Sequence, residues 1–351
     1  MYNIFDWLWP KKTGSKIGID LGSSAIKMVE LEKKDERLFL SNYALFQTPS
    51  DNPFRISDLK DEEIVGLLKR MIQEAQIKSR RASISLPVEK TFSIAIELPM
   101  MAEKELAAAI PFEARKYIPV PLDEIVLDWS ILDNKQNKDF SKVPKALTPL
   151  PKAVDQKVSA AVENLSEKIN KEKEKIKEAA GPPQEKKMQV LVVAVPKEVI
   201  NRLTKIAKAA ELELESLEQE SFSLVRAILG NEKNTYVLAD LGRRSTDLII
   251  ADEGMVRSSH NLETINKEIV LMEIDRLINN FQVKYNKKIS QCLLVGGRSG
   301  ERDFVEFLKN KLKLPVRVAD PLARVGYDPA LKKILPEITP SLAVAVGLAM
   351  Q

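Results

Sequence analysis

The stretch Ile17-Gly-Ile-Asp-Leu-Gly-Ser-Ser-Ala-Ile-Lys-Met-Val-Glu-Leu31 decides the reading of this chain. Ile17, Ile19 and Leu21 make a first strand, Gly22-Ser23-Ser24 a tight turn, and Ile26, Met28, Val29 and Leu31 a second strand. A third strand follows over Leu38–Phe46. Glycine in such a turn permits positive φ and lets backbone N–H groups come close to a phosphate. Asp20, at a strand end facing a cleft, can hold Mg²⁺ through water or position an attacking water. The same device returns at Ala239-Asp240-Leu241-Gly242-Arg243-Arg244-Ser245. It joins strands over 236–242 and 245–251, and Gly254 turns the chain into a third strand that ends near His260. One Asp-Leu-Gly turn is a common hairpin. Two, each heading a three-strand meander, predict a duplicated α/β fold with two facing phosphate loops. A third turn, Val295-Gly296-Gly297, stands where a strand meets a helix, the usual place of nucleotide contact in open α/β sheets. Close packing alone would also explain a Gly-Gly connection there.

Outward from these turns, apolar spacing predicts a helix over Leu59–Ile77, with Ile64, Leu67, Leu68, Met71 and Ile72 on one face. Short strands at 82–86 and 92–98 follow, then a helix over about 103–117 and a strand at 125–132. Residues 134–187 are rich in Lys and Glu and bounded by prolines. Val154, Val158, Ala161, Leu165, Ile169 and Ile176 recur there near helical spacing, which reads as a solvated insertion or as a docking or coiled-coil helix. Order resumes with a strand at 190–195, a helix at 197–211 and a strand near 214–217. A long helix is predicted over 262–285, a strand at 291–295, a helix at 303–312, a strand at 316–318 and an apolar helix at 342–350.

Bulk composition narrows the function. The chain has 351 residues, enough for two domains, and its net charge of +4 is too small to indicate nucleic-acid binding. A single cysteine, Cys292, excludes an internal disulfide, so a cytoplasmic location is expected. One Cys and one His exclude a zinc cluster. Cys292 reads as a core residue and His260 as a polar strand end. No run of about 20 apolar residues is present to span a bilayer. Ile4, Phe5, Trp7, Leu8 and Trp9, followed by Lys11 and Lys12, read either as a tail or as a weak interfacial membrane anchor over 4–12.

Together these residues resemble the actin/Hsp70/sugar-kinase superfamily, and within it the PilM family of type IV pilus assembly and its relative FtsA. The resemblance is carried by 17–31, by Ile110-Pro-Phe-Glu-Ala-Arg-Lys-Tyr-Ile-Pro119, by Glu220-Ser-Phe-Ser-Leu-Val-Arg-Ala227, and by Asp320-Pro-Leu-Ala-Arg-Val325 through Gly347. It implies an actin-like (ribonuclease H-like) fold in which two domains flank a cleft. A tail would cover 1–13, subdomain 1A 14–80 plus 335–351, and an extra region 81–217, comprising 1C and the return to 1A, would carry the charged insertion 134–187. Domain 2 would span 218–334. Asp20, Gly22, Ser23, Ser24 and Lys27 match the first phosphate motif; Asp240, Gly242 and Ser245 match the second. Gly296 and Gly297 match the adenosine motif. The implied cofactors are ATP and Mg²⁺, the metal held through water by Asp20, Glu220 and Asp240, with Glu220 and Asp240 the candidate catalytic acids.

Two departures from the family pattern stand out. Arg302-Asp303 replaces a Pro-Gly after the double glycine, and subdomain 2B, which lines the adenine pocket in relatives, is missing or reduced between His260 and the long helix. The phosphates would still be held, with one wall of the base pocket gone. The implied function is a cytoplasmic scaffold at the inner-membrane platform of a type IV pilus or a related type II secretion system. Its partner would be the cytoplasmic tail of a PilN-like protein, bound near Phe112, Arg115, Tyr117 and Ile118, and self-association is a further expectation. A slow ATPase or kinase of the superfamily, and an FtsA-like polymerising protein, are the alternatives. Arg243-Arg244 reads equally as an anion contact and as an exposed hairpin tip.

Overall fold

The computed structural model describes residues 14–48, 55–132 and 187–351. The aromatic-basic segment 4–12 and residues 134–186 of the charged insertion lie outside the described residues. Three strands in meander open the fold: β1 (Lys16–Leu21), β2 (Ala25–Lys34) and β3 (Arg37–Gln47). Ile17, Gly18, Ile19 and Asp20 of β1 are all buried, as a central strand covered on both faces requires. Helix α1 (Asp61–Glu74) follows, then β4 (Arg81–Leu86), which pairs parallel to β1. The helix is shorter at both ends than the apolar period predicts. Lys60 caps it in extended conformation, its N–H donating to Glu63 Oε2 at 2.8 Å, and Gln76 at φ 52° breaks it beyond Glu74. Its buried face is Ile64, Leu68, Met71 and Ile72.

A small three-stranded sheet comes next, in the order β5-β7-β6, built from β5 (Phe92–Pro99), β6 (Ile125–Ile131) and β7 (Lys187–Pro196). Helix α2 (Glu103–Ala114) lies within this unit. It ends three residues before the predicted Tyr117, because Ile118 precedes Pro119 and the pre-proline position disfavours helix. The last turn closes on Ala114, whose carbonyl accepts from Tyr117 and Ile118 N–H, each at 3.0 Å.

Helix α3 (Lys197–Ala209), β8 (Glu213–Gln219) and α4 (Glu220–Ile228) return the chain to the first sheet, where β8 pairs parallel to β4. The second half repeats the plan with β9 (Thr235–Leu241), β10 (Thr246–Asp252), β11 (Met255–Leu262), α5 (Lys267–Tyr285), β12 (Gln291–Val295), α6 (Arg302–Lys311) and β13 (Val316–Val318). Its strand order is β11-β10-β9-β12-β13. The first sheet reads β14-β3-β2-β1-β4-β8, with β14 (Val325–Gly326) added at the edge. Apart from that edge strand the two sheets have one topology. Leu262 closes β11 instead of opening the long helix, which starts at Lys267 after Asn266 caps it, accepting from Ile269 N–H at 3.0 Å. Only residues 263–266 separate β11 from α5.

Helix α7 (Ala343–Ala349), buried along its whole length, is packed on β1, β2, β4 and α4. Contact with β1 is close enough that a Cβ on Gly18 would come 1.9 Å from the Ala345 carbonyl oxygen, so only glycine fits there. Arg226 of α4 is also buried. It donates to Glu218 Oε2 and to the Gly347 carbonyl, both at 2.8 Å, locking α4 to α7. Cys292 is fully buried, and burial pushes its thiol up to about 12, so it is an unreactive core residue.

Candidate functional site

The two Asp-Leu-Gly turns lie across a cleft of about 380 Å³ between the two sheets, lined among others by Gly22, Ser23, Ser24, Lys27, Gly242 and Ser245. Strand register sets what faces it. In β1–β2, Asp20 lies directly opposite Lys27; in β9–β10, Asp240 lies directly opposite Asp247. Residues opposite one another project to the same face of a sheet. Each hairpin therefore presents a pair of side chains to the cleft.

The first pair is neutralised. Lys27 Nζ donates to Asp20 Oδ2 at 2.7 Å, and Ser85 Oγ donates to Asp20 Oδ1 at 3.3 Å. Burial opposes the charge on Lys27, but Asp20, Asp240 and Glu220 outweigh it and hold its pKa above the usual lysine value. Asp240 is pushed up to about 6, chiefly by burial, with Lys27 pulling down and Asp20 pushing up. Asp247 is pushed up to about 7 by burial and then by Asp240, although Asn261 Nδ2 donates to its Oδ1 at 2.9 Å. Glu220, at the first residue of α4, is also raised well above its usual value, by burial and then by Asp20, Asp247 and Glu89. Neither the Glu220 nor the Asp240 carboxylate has a hydrogen-bond or ion-pair partner among the described residues.

Gly296 takes φ 88°, and a Cβ there would lie 2.2 Å from Asp240 Oδ1, so the glycine makes room for that carboxylate. Its N–H donates to the Pro340 carbonyl at 2.8 Å, and Ser299 Oγ closes back on its carbonyl at 2.7 Å. Gly297 has open space beside it and lines the cleft. The structure thus brings together Asp20, Gly22, Ser23, Ser24, Lys27, Glu220, Asp240, Gly242, Ser245 and Gly297, with Gly296 in support. Sequence reasoning missed Glu89, Asp247, Arg298 and Glu301, which also line the cleft. Asp247 alone carried a legible signal, its place opposite Asp240 matching that of Lys27 opposite Asp20.

A phosphate-bearing nucleotide fits the turns. A Cβ on Gly242 would stand 2.7 Å from the Ser245 carbonyl oxygen, and one on Gly22 would stand 3.2 Å from that of Ala25, so both turns are tight cradles that a side chain would fill. Two carboxylates without partners, Glu220 buried and Asp240 partly exposed to the cleft, also suit a hydrated divalent cation. Among the described residues no three carboxylate, His or Cys groups stand close enough to hold a metal directly. The donor set fits a cation held through its waters.

The second candidate surface is on the small sheet's helix. Phe112 is 54% exposed, Tyr117 51% and the nearby chain residue Met100 62%. Arg115, at the end of α2, is also exposed. Ile118 differs: it is buried with Leu106, Ile110 and Ala114 in that subdomain's core, so it supports the surface from beneath and does not offer its side chain to a partner. His260 is half-buried, and burial together with Arg276 lowers its pKa.

Comparison with known proteins identifies the relative. Residues 18–164 match the family model of the type IV pilus assembly protein PilM. The likeness is to PilM. The solved PilM–PilN type IV pilus biogenesis complex superposes with a TM-score of 0.72 at 20% identity, covering 96% of this chain and 98% of that one. The ethanolamine utilization protein EutJ from Carboxydothermus hydrogenoformans matches with a TM-score of 0.46 at 12% identity, over 97% of this chain and 91% of that one. A Bacteroides thetaiotaomicron protein with an actin-like ATPase fold gives 0.45 at 11%, over 90% and 93%. The fold of this chain is that of the protein it matches in the PilM–PilN complex.

Proposed function

We propose that the chain is a scaffold of a type IV pilus assembly platform, acting from the cytoplasmic face of the inner membrane. It would hold the tail of a PilN-like membrane protein on the exposed surface formed by Phe112, Arg115 and Tyr117. The observation that carries this reading is the exposure of two aromatic rings beside an arginine on a well-packed helix end, in a chain whose fold matches the PilM of a PilM–PilN complex. Aromatic and arginine side chains dominate binding energy at protein interfaces. No helix among the described residues is long and apolar enough to cross a membrane. A peripheral scaffold meets its membrane partner through such a surface.

The cleft serves the scaffold as a nucleotide seat. ATP would lie with its phosphates between the turns at Gly22–Ser24 and Gly242–Ser245, and Mg²⁺ would be held through water by Asp20, Asp240 and Glu220. The turns at Gly22–Ser24 and Gly242–Ser245 would hold the nucleotide from both domains, which would set the angle between them. Lys27 supplies a fixed positive charge at the base of the cleft, and the protonation of Asp240 and Asp247 tunes how much negative charge a cation must offset.

Fluorescence anisotropy of a labelled PilN-like tail peptide tests the docking surface. Arg115→Glu should weaken binding by about 30-fold or more, the loss expected at a hot-spot residue, with an unchanged unfolding curve. Unchanged binding would remove this surface from the proposal. Calorimetric titration with Mg·ATP tests the cleft separately, and binding that Asp20→Ala abolishes is the expected result.

A further inference from the structure

The tip of the second turn reaches across the cleft to the first domain. Arg243 Nη1 donates to the Thr48 carbonyl at 3.1 Å. With the Gln47 amide oxygen turned toward it, Gln47 accepts from Arg243 Nε at 3.1 Å and from Nη1 at 2.8 Å. Thr48 is in turn tied to the first turn, its N–H and Oγ1 both donating to the Ser24 carbonyl, at 3.0 and 3.1 Å. One arginine therefore links the second turn to the first through the end of β3. The same side chain lines the cleft and an adjoining mouth pocket of about 300 Å³, shared with Ser24, Thr48, Arg244, Ile265 and Arg298.

The charges at this mouth are distributed unevenly. Arg298 is matched by Glu301 through two bonds of 2.8 Å, and it also donates to the Ile265 carbonyl at 2.9 Å. Arg243 bonds instead to neutral oxygens, which leave its charge without compensation from those partners. A phosphate adds the attraction of opposite charges to the hydrogen bonds of a guanidinium, which a neutral amide or carbonyl oxygen does not. A planar guanidinium also matches two phosphate oxygens at once. A phosphoryl group between the turns would therefore outcompete an amide and a backbone carbonyl for this side chain.

We propose that Arg243 is a phosphate-responsive latch: it joins the two domains through Gln47 and Thr48, and it transfers to a phosphoryl group that enters between the turns. The ligand class is a pyrophosphate-bearing anion, of which a nucleoside triphosphate is one case. The latch rests on the reading that the cleft takes a phosphate ligand, and it adds that this ligand loosens a contact between the two domains as it binds. Phosphate then does two things in one step, bridging the turns and freeing the end of β3.

The test uses the full chain with spin labels at Glu62→Cys and Lys288→Cys, both exposed positions on opposite domains. Cys292 is buried and stays unlabelled. The inter-label distance is measured by pulsed electron resonance with and without magnesium pyrophosphate, and pyrophosphate affinity by calorimetry. In the wild type, pyrophosphate should shift the distance. Arg243→Ala should show the shifted distance without ligand and bind pyrophosphate about 10-fold more weakly, a change of about 1.4 kcal/mol. Arg243→Gln keeps a donor at the place of Nε, facing Gln47, without the charge; it should retain the unshifted distance and lose affinity to the same degree. An Arg243→Ala protein with wild-type distance and wild-type affinity overturns the latch, as does a wild type that binds no pyrophosphate. Tail-peptide anisotropy on the same samples reports the scaffold reading independently, because its surface lies on α2 and not in the cleft.

Discussion

The two hairpins share one backbone and carry opposite electrostatics. In the first, Asp20 faces Lys27 and the pair closes at 2.7 Å. In the second, Asp240 faces Asp247 and no cation stands opposite either. A duplicated fold thus supplies two phosphate turns of equal shape, and one residue on each outgoing strand decides the charge behind them. Shape comes from the repeat, and charge from the departure from it. The first turn offers a compensated floor on which an anion can rest. The second offers excess negative charge, which favours an anion that brings a divalent cation with it.

The comparison can be broken most severely at Lys27. Lys27→Met leaves Asp20 buried without its partner, next to Asp240 and Glu220. Removing one member of a buried ion pair costs about 3–5 kcal/mol, to be read as a lower urea midpoint at pH 8. Equal stability of mutant and wild type would show that the first pair is not compensating anything. The turns themselves give the next effect. Gly242→Ala places a Cβ 2.7 Å from the Ser245 carbonyl oxygen, whereas Gly22→Ala meets its nearest neighbour, the Ala25 carbonyl oxygen, at 3.2 Å. Overpacking of this kind costs about 1–3 kcal/mol, so Gly242→Ala should destabilise by that amount and Gly22→Ala by less. The reverse order would mean that the two turns relax differently from their geometry.

The last effect, titration in the second hairpin, appears only as a slope of stability with pH. Asp247 has a folded pKa of about 7, above its ordinary value, so between about pH 4 and 7 the folded protein holds a proton that the unfolded chain has released. Its contribution to stability is complete below pH 4 and is lost as pH rises through 7. Each unit of displaced pKa corresponds to about 1.4 kcal/mol at most. Asp247→Asn should therefore flatten the decline of stability across that window, with mutant and wild type converging at pH 4. Parallel curves from pH 4 to 8 would place the titration elsewhere, with Asp240 and Glu220 the next candidates.

Much of this was legible in the sequence for a simple reason: the turns are local. Asp20, Gly22, Asp240 and Gly242 announce themselves within a few residues, and strand alternation follows from apolar periodicity alone. The repeat of that pattern was enough to foresee two like sheets. What escaped depended on register or on distant packing. Asp247 could have been read from its hairpin partner, because a two-strand register is also local. Glu89 could not, since it reaches the cleft through the connection between β4 and β5, which only the assembled sheets place there. Ile118 shows a different limit. A chain leaving a helix before proline turns its side chain inward or outward according to a cap, and the cap at Ala114 turned this one into the core. The long helix began five residues later than its apolar spacing implied, because Asn266 supplies a cap and Leu262 finds a strand partner in Thr246.

The contact of Gly18 with Ala345 has a consequence for synthesis. β1 leaves the ribosome early, and the helix that covers it is made only after both sheets have been translated. At about 5–20 residues per second, the interval is on the order of tens of seconds. Throughout that time Gly18, with Val29 and Leu31 of β2, lacks its final cover, while the second sheet and α5 can already condense around their own core. The face of the first sheet that lies under α7 thus closes only after the strands of both sheets are made, when α7 docks.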